Sequence, residues 1–316
     1  MTRLLPRRLP ATAVAFVVFG LLFAFATIRS PDFASASHIR QLLVFASFVG
    51  FAALGQTLVI LGGGLDLSVP WVMALGGIQL SIWTGDGMSS ALGVVLLVLV
   101  GAGIGTISGL GVTALRIPPI VMTIGMGGLV LGYLMRVGLG SSTAASAPAA
   151  AERLVNDTLL GLPLIAYVWL AFALAAAWLL RRTGFGRALY ATGANETVAR
   201  LAGSRVAAVR VAAYAASGAA SAFAGILLSG YVGQTYLNMG APYLFSSIAA
   251  VAVGGASVLG GSGSYWGTVA GACTLTVLAA LLPTFNLDAA WLNIVYGLVI
   301  LLAVGVNRIA ARGVAA

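Results

Sequence analysis

The sequence predicts an all-α membrane protein, a polytopic helical bundle of about ten transmembrane segments. Two observations lead there. Of 316 residues, 60% are hydrophobic and only 7% are charged, whereas a soluble domain carries roughly a quarter charged residues. And Val211–Leu287 runs for 77 residues without a charge. One spanning helix needs about 20 apolar residues, so this stretch alone holds about three. Gln41–Leu65, Gly87–Leu115 and Thr158–Leu180 are further uncharged runs. Backbone groups in lipid must be hydrogen-bonded internally, which leaves helices or a closed barrel. Barrel strands would alternate apolar and polar residues; these runs do not, so they are helices.

In chain order the segments fall at about 11–28, 40–61, 67–83, 91–115, 119–137, 160–180, 208–230, 243–259, 264–282 and 290–307. They form a single transmembrane domain over 1–316. Arg3, Arg7 and Arg8 precede the first segment, and Ala24-Phe25-Ala26 has the form of a signal-cleavage site. The reading adopted is an uncleaved first helix. The short segments near Gly64–Pro70 and Gly254–Gly263 read as broken or re-entrant.

All sixteen basic residues are Arg, and the net charge is +9. Nucleic-acid binding would need clustered cations on a solvated face; the positive-inside rule accounts for the bias instead. With ten spans and a cytoplasmic N-terminus, twelve Arg fall inside and four, Arg29, Arg40, Arg136 and Arg153, fall outside. Both termini are then cytoplasmic. Removing one span before Arg181 would expose the six-Arg stretch from Arg181 to Arg210 on the wrong side. The single Cys273 and single His38 form no metal-ligand cluster, and no nucleophile–base pair is evident.

Gly105-Thr106-Ile107-Ser108-Gly109 and Gly267-Thr268-Val269-Ala270-Gly271 each precede an apolar stretch that ends at a proline. The first runs inward and the second outward, the signature of an inverted repeat.

Three features carry chemistry. In Gly62-Gly63-Gly64-Leu65-Asp66-Leu67-Ser68-Val69-Pro70, glycines and a proline bracket an acid between two apolar helices. Asp66 and Ser68 either cap the following helix or line and gate a solute path. The stretch 181–210 is the one long polar segment inside the topology. Within it Asn195–Leu201 reads as a short amphipathic helix, with Asn195 as N-cap and Glu196–Arg200 spaced for an ion pair. It is either a solvated loop or a docking helix for a cytoplasmic partner. Gly254–Gly263 is Gly-rich but lacks the Lys-Ser/Thr ending of a phosphate loop, and reads as a broken helix or tight turn.

These residues resemble the permease subunits of bacterial ABC importers for monosaccharides, of the ribose, xylose, arabinose and galactose type, which are related to branched-chain amino acid permeases. The likeness rests on Gly63–Val69, Pro118–Gly125, Gly184–Arg187 with Ala191–Glu196 and Ala199–Gly203, and Ile248–Gly255 with Gly260–Gly263. Pro70 departs from the family's usual Gly. The resemblance implies a translocation path or gate at Gly64, Asp66, Ser68, Thr123, Gly254 and Gly255. It implies an ATPase-coupling loop carrying Gly184, Gly193, Asn195, Glu196, Arg200 and Gly203. The implied partners are a cytoplasmic ABC ATPase, an extracytoplasmic sugar-binding protein and a second permease chain, in the bacterial inner membrane. No cofactor belongs to this chain, since ATP and Mg would be bound by the partner ATPase. The alternatives are a permease for a nucleoside or branched-chain amino acid, a secondary carrier coupled through Asp66, and an intramembrane enzyme.

Overall fold

The computed structural model describes residues 11–138 and 147–315. In chain order the helices are α1 (Ala11–Arg29), α2 (Ala36–Leu61), α3 (Val69–Gly85), α4 (Ser90–Thr113), α5 (Pro119–Gly138), α6 (Ala149–Asn156), α7 (Leu164–Arg182), α8 (Gly184–Ala194), α9 (Glu196–Leu201), α10 (Val206–Val232), α11 (Tyr243–Val253), α12 (Tyr265–Leu281) and α13 (Ala289–Ala315). Seven of them are long and apolar enough to cross a membrane: α1, α2, α4, α5, α7, α10 and α12. With the shorter α3 and α11 and the apolar stretch of α13, each of the ten expected segments is a helix.

The boundaries move for local reasons. The segment expected from residue 160 opens with a two-stranded hairpin, β1 (Thr158–Leu159) against β2 (Leu162–Pro163). Leu160 and Gly161 both take positive φ, as a two-residue hairpin turn requires, and α7 starts only at Leu164. The segment expected to reach residue 259 stops at Val253, because Gly255 turns out of the helix at φ +80°. The polar stretch after Arg182 is not a loop with one helix but two helices. Thr183 caps the first of them by accepting the Gly186 N–H at 3.2 Å.

The two ends of the bundle are distinct. Ala11 meets Gly255, Ala194 meets Gly261, the Gly261 N–H donates to the Leu61 carbonyl, and Arg210 donates to the Gly62 carbonyl. The start of α1 and the connections α2–α3, α7–α10 and α11–α12 therefore share one end. Arg116, Arg181, Arg182, Arg187, Arg200, Arg205 and Arg210 belong to that end. Arg29, Arg40, Arg136 and Arg153 sit at or beyond the opposite helix ends, where Arg29 lies over the Phe285 ring.

Lipid is as apolar as leucine, so helices associate in it through close packing and interhelical polar contacts. α10 is the packing centre. A Cβ on Gly101 would strike the Gly218 carbonyl, one on Gly218 the Gly101 carbonyl, and one on Gly105 the Tyr214 carbonyl. Gly225 sits equally close against Met73 of α3. Across the bundle Gly267 lies against Gly254, and Gly271 against Ala250 of α11. The two Gly-Thr-x-x-Gly segments thus do the same work, locking α4 onto α10 and α12 onto α11, on helices that run in opposite senses. Polar contacts add to this. The Trp169 indole donates to the Tyr265 hydroxyl at 3.0 Å, which donates to the Gly50 carbonyl at 2.8 Å, tying α7, α12 and α2. Cys273 packs partly buried against the core, and His38 lies against the Phe33 ring, centroids 4.4 Å apart.

The glycine contacts make a paired prediction. Gly105→Ala should destabilise the protein by about 1–3 kcal/mol through overpacking. Gly103→Ala, on the open side of the same helix, should be neutral or stabilising by up to about 1 kcal/mol. Thermal unfolding of both variants in the same detergent decides it; equal melting temperatures would refute the interlock.

Candidate functional site

Between α2 and α3 the chain leaves helical geometry. Gly63 takes φ +80°, and residues 64–68 have no regular secondary structure, with Asp66 and Ser68 almost fully buried. Exposed backbone polar groups cost several kcal/mol each at membrane depth, so the partners of this stretch define it.

The Gly62, Gly63 and Gly64 N–H groups close back on α2 carbonyls, and one face of α10 supplies three further partners. Arg210 Nε–H donates to the Gly62 carbonyl at 3.2 Å, Tyr214 O–H to the Leu65 carbonyl at 3.3 Å, and Ser217 O–H to Asp66 Oδ2 at 2.7 Å. Residues 210, 214 and 217 are spaced i, i+4, i+7, a single stripe on a helix. From the other side Thr123 of α5 accepts the Leu67 N–H at 3.1 Å while its own hydroxyl donates to the Pro119 carbonyl at 2.9 Å. Asp66 Oδ1 takes the Ser68 N–H at 3.0 Å and the Ser68 hydroxyl at 2.6 Å. Asp66 thus closes a turn just ahead of α3 and pins it to α10. Ser68 occupies the N-cap position of α3 without a side-chain cap bond.

The α8–α9 pair lies directly against this segment. Gly193 is wedged against the Leu61 carbonyl and the Gly261 backbone, too tightly for a Cβ. The Tyr190 hydroxyl donates to the Gly263 carbonyl at 2.8 Å. Asn195 caps α9 by accepting the Val198 N–H at 3.1 Å, and Gly203, at φ +82°, ends the turn after it. Glu196 receives Arg200 at 2.6 Å on one oxygen and Arg210 at 2.6 Å on the other. Desolvation pushes the Glu196 carboxyl up, but the hydrogen bonds and charges of Arg210 and Arg200 outweigh it and hold it below the usual carboxylate range. The clamp is therefore ionised at neutral pH.

Beside α9 opens a cavity of about 870 Å³, walled by Gly62, Gly63 and Gly64, by Arg116 to Pro119, and by Tyr214. Arg116, Arg200, Arg205 and Arg210 line it against the one carboxylate of Glu196, so its potential is positive. Of the residues singled out in the sequence, Gly64 lines the cavity, and Asp66, Ser68 and Thr123 form the frame behind it. Gly254 packs on Gly267, and Gly255 on Ala11, away from the cavity. The turn they open nevertheless reaches the break through Gly260 and Gly261. Gly184 starts α8 and is exposed.

Sequence reasoning missed Arg210, Tyr214 and Ser217 as partners of the break; nothing local marks a contact spanning 151 residues. It also missed Val198 and Leu201. They stand 60% and 84% exposed on α9, among arginines and off the spanning helices. Their i, i+3 spacing around the buried Ala199 was the available signal.

Residues 38–304 match the family described as branched-chain amino acid transport system / permease component. Among curated proteins, the chain is 32% identical over 289 residues to the autoinducer 2 import system permease protein LsrC of Salmonella paratyphi B, covering 92% of this chain and 83% of that one. It is 33% identical over 287 residues to the protein of that name from Yersinia pestis, covering 91% and 82%. No solved structure matches it.

The frame can be tested at Thr123. Thr123→Val keeps the shape but leaves the buried Leu67 N–H without an acceptor, a loss of about 1–3 kcal/mol. Thr123→Ser keeps the hydroxyl and should retain most of the stability. If denaturation in detergent finds the Val variant as stable as the Ser variant, Thr123 does not support the break.

Proposed function

The chain belongs to the family of transport-system permease components, a transport subunit rather than an enzyme, and from that premise we propose that it forms the membrane path of an ATP-driven sugar importer. The observation that carries this reading is the direct attachment of a surface helix pair, α8–α9, to an unwound segment that walls a cavity. Such an arrangement lets a partner bound at the surface act on the path. The relatives named for autoinducer 2 import favour the import of a small solute, and the resemblance to monosaccharide permeases favours a polyhydroxylated one. A cavity of about 870 Å³ is within the range of small-molecule sites.

The Arg-rich end faces the cytoplasm by the positive-inside rule. There the exposed Val198 and Leu201, with Arg200 and Arg205 close by in the chain, form an apolar contact in a basic surround, suited to a groove on a cytoplasmic ATPase. ATP and Mg belong to that partner. A binding protein delivers the sugar at the opposite end, beside α6 and the β1–β2 hairpin, and a second permease chain completes the path. The cavity opens beside α9, so this conformation is open toward the cytoplasm. The ATPase biases the permease between inward- and outward-open states by its differential affinity for them. Asp66, the acid within the break, holds the segment that moves.

Reconstitution with the ATPase and binding protein should give ATP-dependent uptake of one of ribose, xylose, arabinose or galactose. Uptake by this chain alone without ATP would overturn the importer reading. Leu201→Asp should weaken co-purification of the ATPase at least roughly tenfold, as loss of an interface hot spot does, without lowering the melting temperature of the chain. Unchanged co-purification would move the docking site elsewhere. Asp66→Ala should impair uptake at normal expression; normal rates would confine Asp66 to structural support.

A further inference from the structure

The geometry points to Arg210 as the positioning residue that transmits movement of the ATPase-facing helix to the translocation path. This rests on the importer reading above and adds to it the link by which force crosses from one to the other.

Arg210 lies at the junction of three elements. Its Nη1–H donates to Glu196 Oε2 of α9 at 2.6 Å, its Nε–H donates to the Gly62 carbonyl at 3.2 Å, and its backbone belongs to α10. The Gly62 carbonyl is the first beyond α2, where the break begins. α9 is a helix of six residues with Val198 and Leu201 outward and Ala199 buried; among the described residues, its charged tie to α10 is the Glu196–Arg210 pair. A partner that grips its outer face and moves it pulls on Glu196, and Glu196 pulls on Arg210. Arg210 then either carries Gly62 with it or lets it go.

The far end of the break is held independently. Asp66 is fixed to Ser217, seven residues or about 10 Å further along α10. With that end anchored, displacement at Gly62 must be absorbed between Gly63 and Leu65, where the glycines stand and where the cavity wall lies. A guanidinium suits this task because its donors diverge in a fixed fork, so one group serves two acceptors at once. A lysine ammonium at this position would keep the charge for Glu196 without the rigid two-way bridge.

The test separates transmission from docking and from folding. Wild-type, Arg210→Lys and Arg210→Ala chains are purified with the ATPase that co-purifies from native membranes. They are reconstituted with the binding protein and assayed for ATP hydrolysis and for uptake of the sugar that the wild-type complex transports. Both variants should retain the ATPase and hydrolyse ATP within about twofold of wild type, while sugar moved per ATP falls about tenfold. That ratio corresponds to the loss of one charge-assisted hydrogen bond. Arg210→Lys is the decisive variant, since it preserves charge and side-chain bulk. Wild-type uptake per ATP in Arg210→Lys would overturn the relay. So would loss of the ATPase from its complex, which would make Arg210 a docking residue. A wild-type complex that carries no ATPase would overturn the importer reading, and the relay with it.

Discussion

The constraint on which the rest depends is that a backbone unwound within a membrane protein must find its hydrogen-bond partners elsewhere in the protein. Gly62–Ser68 meets it partly through α2 carbonyls and its own Asp66, and partly with side chains from two helices. Arg210, Tyr214 and Ser217 of α10 lie along one side, and Thr123 of α5 stands on the other. The stripe on α10 is graded. An arginine serves the end near the aqueous surface, an amphipathic tyrosine comes next, and a small hydroxyl pairs with the buried carboxylate of Asp66. Desolvation grows more costly along this line, and the polarity required of α10 declines in step.

That arrangement demands that α10 sit at the centre, and the glycines make it possible. Gly101 and Gly105 bring α4 against its backbone, and Gly225 brings Met73 of α3 equally close. The apolar residues that point outward from α1, α4, α5, α7 and α13 are then left on the outside of this chain's bundle. The two Gly-Thr-x-x-Gly segments are one packing solution used twice. Its second use, on α11 and α12, places the Gly260–Gly261 turn against Leu61 and Gly63, so both halves of the chain converge on the break.

Much of this was legible in the sequence, for physical reasons. Spanning helices are written as long uncharged runs, so the seven helices long enough to span appeared, together with the shorter α3, α11 and the apolar stretch of α13. Gly62–Pro70 stood out because glycine, proline and an acid together have no place inside a lipid-facing helix. Asn195, Glu196 and Arg200 declared a capped helix because cap and ion pair are local, within four residues. What was hidden was either non-local or masked by composition. Ser217 looks like any small residue of a membrane helix until Asp66 is placed beside it. Gly184 and Gly186 suggest a loop, yet Thr183 caps a helix there and a Cβ at Gly186 would strike the Leu180 carbonyl. Leu160 and Gly161 read as the start of a span, although their positive φ values build a hairpin instead.

The separation of 151 residues between Asp66 and Ser217 also bears on biogenesis. α2 and α3 leave the ribosome long before α10 exists. Until α10 arrives, the Gly62 and Leu65 carbonyls and Asp66 Oδ2 lack the partners that Arg210, Tyr214 and Ser217 supply. The tie that pins the start of α3 to α10 therefore forms only after the carboxy-terminal half has been made. Completion of the amino-terminal half thus depends on a helix from the carboxy-terminal half. A chain truncated before α10 would present an incomplete membrane domain with a polar segment still exposed, the kind of feature by which quality-control proteases distinguish an unfinished protein from a finished one.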